Sequence, residues 1–311
     1  MQLMIYILRF IPFLRYTKKK IMNNDYKKWI YLIVLAIIWG SSFILIKKSL
    51  IGLTPVQLGA LRTFIAGIFI LLIGFRSLKK IQKQQWKYIV VSSLLGTLFP
   101  AFFFAFAITG IDSSVASILN SLTSLNALIV ASLFFGVVFK RVQLVGVLIG
   151  LVGTIMLILE SSSLNPNQNY WYTIFVLTAS LGYAFNVNII KKYLSDIPAM
   201  SITAGHFILL IIPVFIILAF SGFFSSVEFT PETNTSIMYL IVLSVVGTGL
   251  AKIMFNKLIQ ISTPVFSTSV AYLIPIVAII WGFIDGEKVS YLQLLAGVII
   301  LTGIYIVNKV K

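Results

Sequence analysis

The sequence predicts an all-α polytopic membrane protein with ten transmembrane helices, arranged as two inverted five-helix repeats. Three observations lead to this fold class: the composition, the spacing of the apolar runs, and a match of the chain to itself. Of the 311 residues, 59% are hydrophobic and only 10% are charged, with a mean hydropathy of +1.04. Soluble domains are about 45–50% apolar, so the composition indicates a chain that folds within a bilayer.

Ten apolar runs account for nearly all of the sequence. A helix needs about 20 predominantly apolar residues to cross a membrane, and little of the chain remains for a soluble domain. We predict the spans, in chain order, at residues 29–46, 56–75, 87–108, 113–136, 142–159, 171–190, 199–220, 236–256, 264–284 and 289–308.

The basic residues predict the orientation of these spans. With the N-terminus in the cytoplasm, nineteen Lys and Arg residues lie on the cytoplasmic side, and only Lys47, Lys48 and Lys288 lie outside. This asymmetry follows the positive-inside rule, so the net charge of +16 marks topology rather than a nucleic-acid partner. The absence of cysteine excludes disulfides, thiolate metal sites and cysteine nucleophiles.

A comparison of the chain with itself reveals an internal repeat. A shift of 150 residues aligns residues 110–120 with 260–270, and a shift of 144 aligns "WGSSFILIKKSL" from Trp39 with "YAFNVNIIKKYL" from Tyr183. Five helices is an odd number, so the second half enters the membrane from the opposite face, and the repeats are inverted. The predicted organisation is a basic N-terminal extension at 1–28, a first repeat at 29–160, an external linker at 161–170 and a second repeat at 171–309.

Several motifs together resemble the EamA domains of the drug/metabolite transporter superfamily. They are "WGSSF" in the first span, the arginine of "ALRTF" in the second, "SSVASIL" opening the fourth and "YLIPIVAIIWGFIDGE" in the ninth. The resemblance covers both halves, over residues 29–308, and implies ten transmembrane helices and transport of metabolites, often the export of amino acids or related compounds. One departure concerns Gly286-Glu287, whose counterpart in the first half is Gly136-Val137, without the carboxylate.

Away from the membrane edges, three basic residues lie inside predicted spans: Arg62, His206 and Lys252. A charge at mid-bilayer costs several kcal/mol, about 2.5–3.5 on insertion scales, so such residues are functional candidates by default. The shift of 144 sets His206 over Arg62. Each residue also has a structural interpretation: Arg62 as a packing anchor, His206 as a hydrogen-bonded core residue and Lys252 as a side chain that snorkels to the interface.

Uncharged polar and aromatic residues complete the predicted substrate site. Hydroxyls and amides bind polar groups of a solute and aromatic rings cover its apolar parts, although Ser and Asn also hold membrane helices together. The predicted substrate-binding residues are Arg62, His206, Trp39, Ser42, Asn120, Ser124, Tyr183, Asn186, Lys252 and Tyr272.

The residues that are missing narrow the function. No Asp or Glu falls in the interior of a predicted span, which disfavours exchange of a proton for an organic cation. One histidine, no cysteine and no interior acid leave no catalytic set for an enzyme. The inverted repeat predicts a transporter that works by alternating access, and the basic residues inside the spans favour a solute with a carboxylate. The resemblance implies export of amino acids or related compounds, so we expect an exporter of amino acids or related carboxylate-bearing compounds, without a metal or cofactor. The alternatives are a non-catalytic membrane sensor or assembly factor and, less favoured, a membrane-embedded lipid-modifying enzyme.

The expected partners are a small-molecule solute and the lipid bilayer, with no nucleic acid. We expect a multi-pass protein of the bacterial cell (inner) membrane with both termini in the cytoplasm, present as a monomer or a homodimer.

Overall fold

The computed structural model describes residues 2–137, 141–228 and 230–309, and within these ranges the regular structure is entirely helical. The predicted all-α class is therefore confirmed. Lys140 and Lys311, counted among the basic residues, lie outside the described residues. The main helices are α1 (Gln2–Ser49), α2 (Pro55–Gly74), α3 (Lys83–Gly110), α4 (Ser113–Phe135), α5 (Arg141–Leu164), α6 (Tyr170–Tyr193), α7 (Ala199–Phe220), α8 (Pro231–Ile261), α9 (Phe266–Ile284) and α10 (Tyr291–Lys309).

In the described part of the chain, nine helices are long and apolar enough to cross a membrane. The apolar stretch of α10 that qualifies, Tyr291–Gly303, is shorter than a full span, so the count of ten stays a prediction. Each predicted span overlaps one helix. Apart from the start of α1, which continues back to Gln2, the observed ends differ from the predicted ones by at most five residues.

Helix starts follow local capping chemistry rather than hydropathy, which explains these differences. The Thr54 hydroxyl accepts a hydrogen bond from the backbone N–H of Gln57 (3.3 Å), and the Thr230 hydroxyl accepts one from that of Thr233 (3.2 Å). In both cases a proline follows the cap, at the first helical position, where its missing N–H is no loss. Helix α8 therefore begins five residues before the predicted span.

Two helices contain a π-helical segment near their middle, Leu94–Leu98 in α3 and Leu243–Leu250 in α8. In α3 the sequence supplies a cause. Pro100 has no N–H to donate to the carbonyl four residues before it, that of Gly96, so the regular α-helical ladder is interrupted there. Interruptions of this kind expose backbone carbonyls inside the protein, where they can bind polar groups.

Most helices pack around a central cavity, and α5 and α10 form a separate pair. Helix α1 packs against α8 and α9, α6 packs against α3 and α4, and α2 packs against α7. Helices α5 and α10 pack mainly against each other at a glycine contact. A Cβ atom on Gly303 would lie 2.5 Å from the Gly146 carbonyl oxygen, so only glycine fits there. The outer side of α5 exposes apolar side chains such as Leu148 and Leu151.

Candidate functional site

A cavity lies between the two halves of the chain and is lined by α1, α2, α3, α4, α6, α8 and α9. Its volume is about 90 Å³, on a measure by which a single water needs about 10–15 Å³. The space therefore suits a small solute. Its polar side chains are Ser42, Arg62, Thr97, Asn120, Thr123, Tyr183, Asn186, Thr248, Lys252 and Thr268.

Arg62 reaches this cavity from the second turn of α2, and only 8% of its surface is exposed. Its Nε donates a hydrogen bond to the Thr248 hydroxyl oxygen at 2.7 Å. That hydroxyl in turn donates to the Leu243 carbonyl oxygen at 3.1 Å, within the π-helical segment of α8. One neutral contact thus fixes the guanidinium, which still has four N–H groups on its two Nη atoms for other partners.

Lys252 enters the cavity from α8, and its ammonium donates a hydrogen bond to the Gly96 carbonyl oxygen. This is the carbonyl that Pro100 leaves without a helical partner. The position of the lysine is therefore set by the interruption in α3, and the contact joins the first half of the chain to the second.

The neighbouring amides are also held in place. Asn186 accepts a hydrogen bond from the Ser92 hydroxyl at 2.5 Å and packs directly against Gly96, where an added Cβ would lie 2.2 Å from the amide carbon. On α4, the Asn120 side-chain oxygen accepts a hydrogen bond from the Thr123 hydroxyl at 3.3 Å.

Aromatic rings form the apolar walls. The indole N–H of Trp39 donates to the Gly247 carbonyl oxygen at 3.0 Å, which fixes the ring. Its partner across the wall is Phe255, in an edge-to-face contact with ring centroids 4.9 Å apart. Phe104 stacks against Tyr183 with centroids 6.1 Å apart. Such walls suit the carbon skeleton of a solute.

Seven of the ten predicted substrate-binding residues line this cavity and three do not. The seven are Trp39, Ser42, Arg62, Asn120, Tyr183, Asn186 and Lys252. The other three are placed as follows. His206 is fully buried on α7, and neither of its ring nitrogens has a hydrogen-bond partner. Ser124 is buried on α4, one residue beyond the cavity-lining Thr123, and Tyr272 is half-buried on α9, next to the lining Ala271.

The prediction missed four threonines of the lining: Thr97, Thr123, Thr248 and Thr268. Two of them carried a signal in the sequence. A shift of 151 residues aligns "LGT" at 95–97 with "VGT" at 246–248, so the predicted repeat pairs Thr97 on α3 with Thr248 on α8.

A second charged site, which we call the Lys47 cluster, comprises Lys47, Lys48, Ser113, Asp285 and Glu287. It lies where α1 and α9 end and α4 begins. The Lys47 Nζ is 2.7 Å from an Asp285 carboxylate oxygen and 2.9 Å from one of Glu287, and Lys48 pairs with Asp285. Glu287 also accepts hydrogen bonds from the Ser113 backbone N–H (3.1 Å) and hydroxyl (2.7 Å). A carboxylate is stabilised at this helix N-terminus.

The cluster keeps both carboxylates ionised. Burial raises the pKa of Glu287, but hydrogen bonds from Ser113 and the ion pair with Lys47 outweigh it, and the pKa lies below its ordinary value. The pKa of Asp285 is likewise lowered, because Lys47 and Lys48 outweigh the effect of burial. The cluster therefore ties α1, α4 and the segment after α9 together at neutral pH.

A second lysine contact lies at the end of α6. Lys191, aligned with Lys47 by the shift of 144, donates to the carbonyl oxygens of Ser262 at 2.6 Å and Ile259 at 3.2 Å. These carbonyls end α8, so Lys191 caps a helix C-terminus. No described carboxylate takes part in this contact, and the repeat partner of Glu287 is Val137.

Comparison with known proteins identifies a family and a fold. A family model described as "EamA-like transporter family" matches residues 3–159 and again residues 170–309. One solved crystal structure has a TM-score of 0.61, with 15% identity and coverage of 89% of this chain and 94% of that chain. That likeness concerns the fold alone.

Three curated relatives carry transporter names. An uncharacterized inner membrane transporter of Escherichia coli K12, YedA, is 27% identical over 90% of each chain. An uncharacterized transporter of Bacillus subtilis, YvbV, is 23% identical over 88% of this chain and 89% of its own. A probable amino-acid metabolite efflux pump of Escherichia coli K12 is 26% identical over 90% of this chain and 94% of its own.

Proposed function

The chain belongs to the EamA-like transporter family, and on that premise we propose that it exports amino acids or related carboxylate-bearing metabolites by alternating access. The observation that carries this proposal is the cavity between the two halves, in which the guanidinium of Arg62 is held at its Nε alone. A carboxylate pairs with the free Nη groups in a two-pronged arrangement. A relative named as a probable amino-acid metabolite efflux pump supports the same solute class.

The pairing of the helices supports an inverted repeat. In the predicted repeat, α1 to α5 correspond to α6 to α10. The main contacts of α1 and α6 then have counterparts: α1 with α9 matches α6 with α4, and α1 with α8 matches α6 with α3. Helices α2 and α7 contact each other, as do α5 and α10, as expected for pairs on the pseudo-two-fold axis. The two π-helical segments lie at repeat-related positions. Such a repeat allows two forms of similar energy, each open to one face.

The two lysine contacts are proposed to close the cavity at opposite faces. The Lys47 cluster closes the external face and the contact of Lys191 with the end of α8 closes the cytoplasmic face, with both termini in the cytoplasm of a bacterial cell. The distribution of basic residues supports this orientation. The cluster is held by ion pairs and the Lys191 contact by neutral carbonyls.

Transport in proteoliposomes tests the proposal. Purified protein should move labelled amino acids or other small carboxylates, and Arg62→Gln should lower the initial rate at least tenfold. A hydrogen bond to a charged group contributes about 1.5–3 kcal/mol, or a factor of roughly 10–150. Arg76→Gln is the matched control, because Arg76 is exposed after α2 and should transport normally.

Two results would contradict the proposal in different ways. A folded wild-type protein that moves nothing from a broad panel of amino acids and carboxylates argues against the function. Normal transport by Arg62→Gln argues against the site while leaving the function in place.

A further inference from the structure

Two cationic side chains share the cavity, one from each half of the chain. Arg62 on α2 bonds to Thr248, and Lys252 follows Thr248 by four residues on α8. Four residues are about one helical turn, roughly 6 Å along the axis. The two charged groups therefore approach the same side of α8, with a separation on the order of one turn.

No carboxylate lines this cavity, and the described acidic side chains are engaged or placed elsewhere. Asp112 accepts hydrogen bonds from Asn165 and Gln168, and Asp196 accepts from Gln85. The remaining described acids are Glu160 with Ser290, Asp285 and Glu287 in the Lys47 cluster, and Glu228 and Glu232 beside the start of α8.

The described contacts that hold the two basic groups include no carboxylate. Arg62 donates to a hydroxyl and Lys252 to a backbone carbonyl. Both residues are only 8% exposed. A buried charge without a counter-charge is costly, and two like charges in one space repel each other. A solute with one anionic group can pair with only one of the two basic groups, whereas a solute with two can pair with both.

The lining is also poorly suited to a cationic group. An ammonium in this space meets two cations and no carboxylate, so a zwitterion gains less than an anion of the same size. The remaining walls, formed by Trp39, Phe104 and Phe255 among others, suit a short carbon chain.

Resting on the proposed function, we infer that the preferred solute is a small dianion whose two anionic groups are separated by a few carbon atoms, one group bound by Arg62 and the other by Lys252. Dicarboxylates share this chemistry, as do phosphorylated carboxylates that fit the cavity. Acidic amino acids carry the same two carboxylates together with an ammonium.

The test compares matched solutes that differ by one carboxylate. Succinate with succinamate, and L-glutamate with L-glutamine, are pairs of nearly equal size. Dissociation constants are measured on the purified full-length protein from the rise in apparent thermal stability, which increases when a ligand binds the folded state. We expect the dianion of the first pair, and the acidic amino acid of the second, to bind at least tenfold more tightly than its amide.

Lysine variants then assign the second anionic group. Lys252→Gln should reduce the tenfold preference to near one, and Lys252→Arg, which keeps the charge, should restore it. Lys257→Gln is the matched control, because this lysine is exposed on the same helix, and it should keep the full preference. If Lys252→Arg restores the preference for the acidic solute, its loss in Lys252→Gln is due to the missing charge and not to misfolding.

The possible outcomes are distinct. Equal or tighter binding of the amides, or no binding of any of the four probes, overturns the inference. A full preference in Lys252→Gln also overturns it. Transport of L-glutamine but not of the acidic solutes in proteoliposomes would overturn the inference and leave the proposed export function standing. Transport of no carboxylate at all would contradict both the inference and the proposed function.

Discussion

Substitution of Glu287 by glutamine should destabilise the protein by about 2–3 kcal/mol. The side chain is 8% exposed, pairs with Lys47 at 2.9 Å and accepts hydrogen bonds from Ser113 and Ser114 at the start of α4. Breaking a buried ion pair costs about 3–5 kcal/mol. Because the Lys47 side chain is 34% exposed, solvent screens part of this interaction. We therefore expect Glu287→Gln to cost about 2–3 kcal/mol of folding free energy.

Thermal unfolding of the purified protein in detergent measures this effect, and a loss of this size lowers the midpoint by about 3–5 °C. Glu232→Gln is the matched control, since Glu232 is exposed in the first turn of α8 and should leave the midpoint nearly unchanged. The effect should depend on pH. Because folding lowers the pKa of Glu287, its contribution is complete above the ordinary value of 4.5 and is lost as the pH falls through the lowered pKa.

A difference between wild type and Glu287→Gln that stays the same below pH 4 would refute this electrostatic account, as would equal midpoints of Glu287→Gln and Glu232→Gln at pH 7.

The absence of cysteine permits a second measurement. In a Thr97→Cys background, a thiol reagent that does not cross membranes reports access to the cavity. If the Lys47 cluster closes the external face, Glu287→Gln should speed labelling from that side.

Three further predictions concern single contacts. Arg62→Lys keeps the charge but removes the Nε donor to Thr248, and solute affinity measured by thermal shift should fall at least tenfold. Gly303→Ala forces a Cβ to within 2.5 Å of a carbonyl on α5 and should cost about 1–3 kcal/mol in thermal unfolding, whereas Gly297→Ala, with its nearest contact at 3.8 Å, should not. Pro100→Ala restores an N–H that competes with Lys252 for the Gly96 carbonyl oxygen, so the anchor of Lys252 should weaken and solute affinity measured by thermal shift should fall.

The sequence located the helices and several cavity residues because both follow from local patterns. Apolar runs mark membrane spans wherever they occur, and a charge inside such a run is conspicuous. Arg62 and Lys252 were therefore recognisable without a structure. Their partners were not, because the contact of Arg62 with Thr248 joins residues 186 positions apart, and hydropathy contains no information on which helices meet.

Interruptions in the helices explain why some predicted residues lie away from the cavity. The predicted span at 113–136 is one continuous helix. The structure has a turn at residues 121–122, after Asn120 and before Thr123, which changes the helical phase. Asn120 and Thr123 line the cavity but Ser124 does not. In α9 a similar interruption at Ser269 precedes Tyr272.

The charged residues, rather than the helices, distinguish the two halves. By the shifts that align the repeats, Arg62 corresponds to His206, Lys252 to Ala101 and Glu287 to Val137. A backbone with a pseudo-two-fold axis would give its two open forms equal energy, so any preference must come from side chains that break the symmetry. Among the described residues, carboxylates take part in the Lys47 contact but not in the Lys191 contact. The two contacts therefore differ in strength, and the difference biases the equilibrium between the two forms. Under the proposed alternating access, a solute must bind the less populated form more tightly by at least this net bias to drive the change.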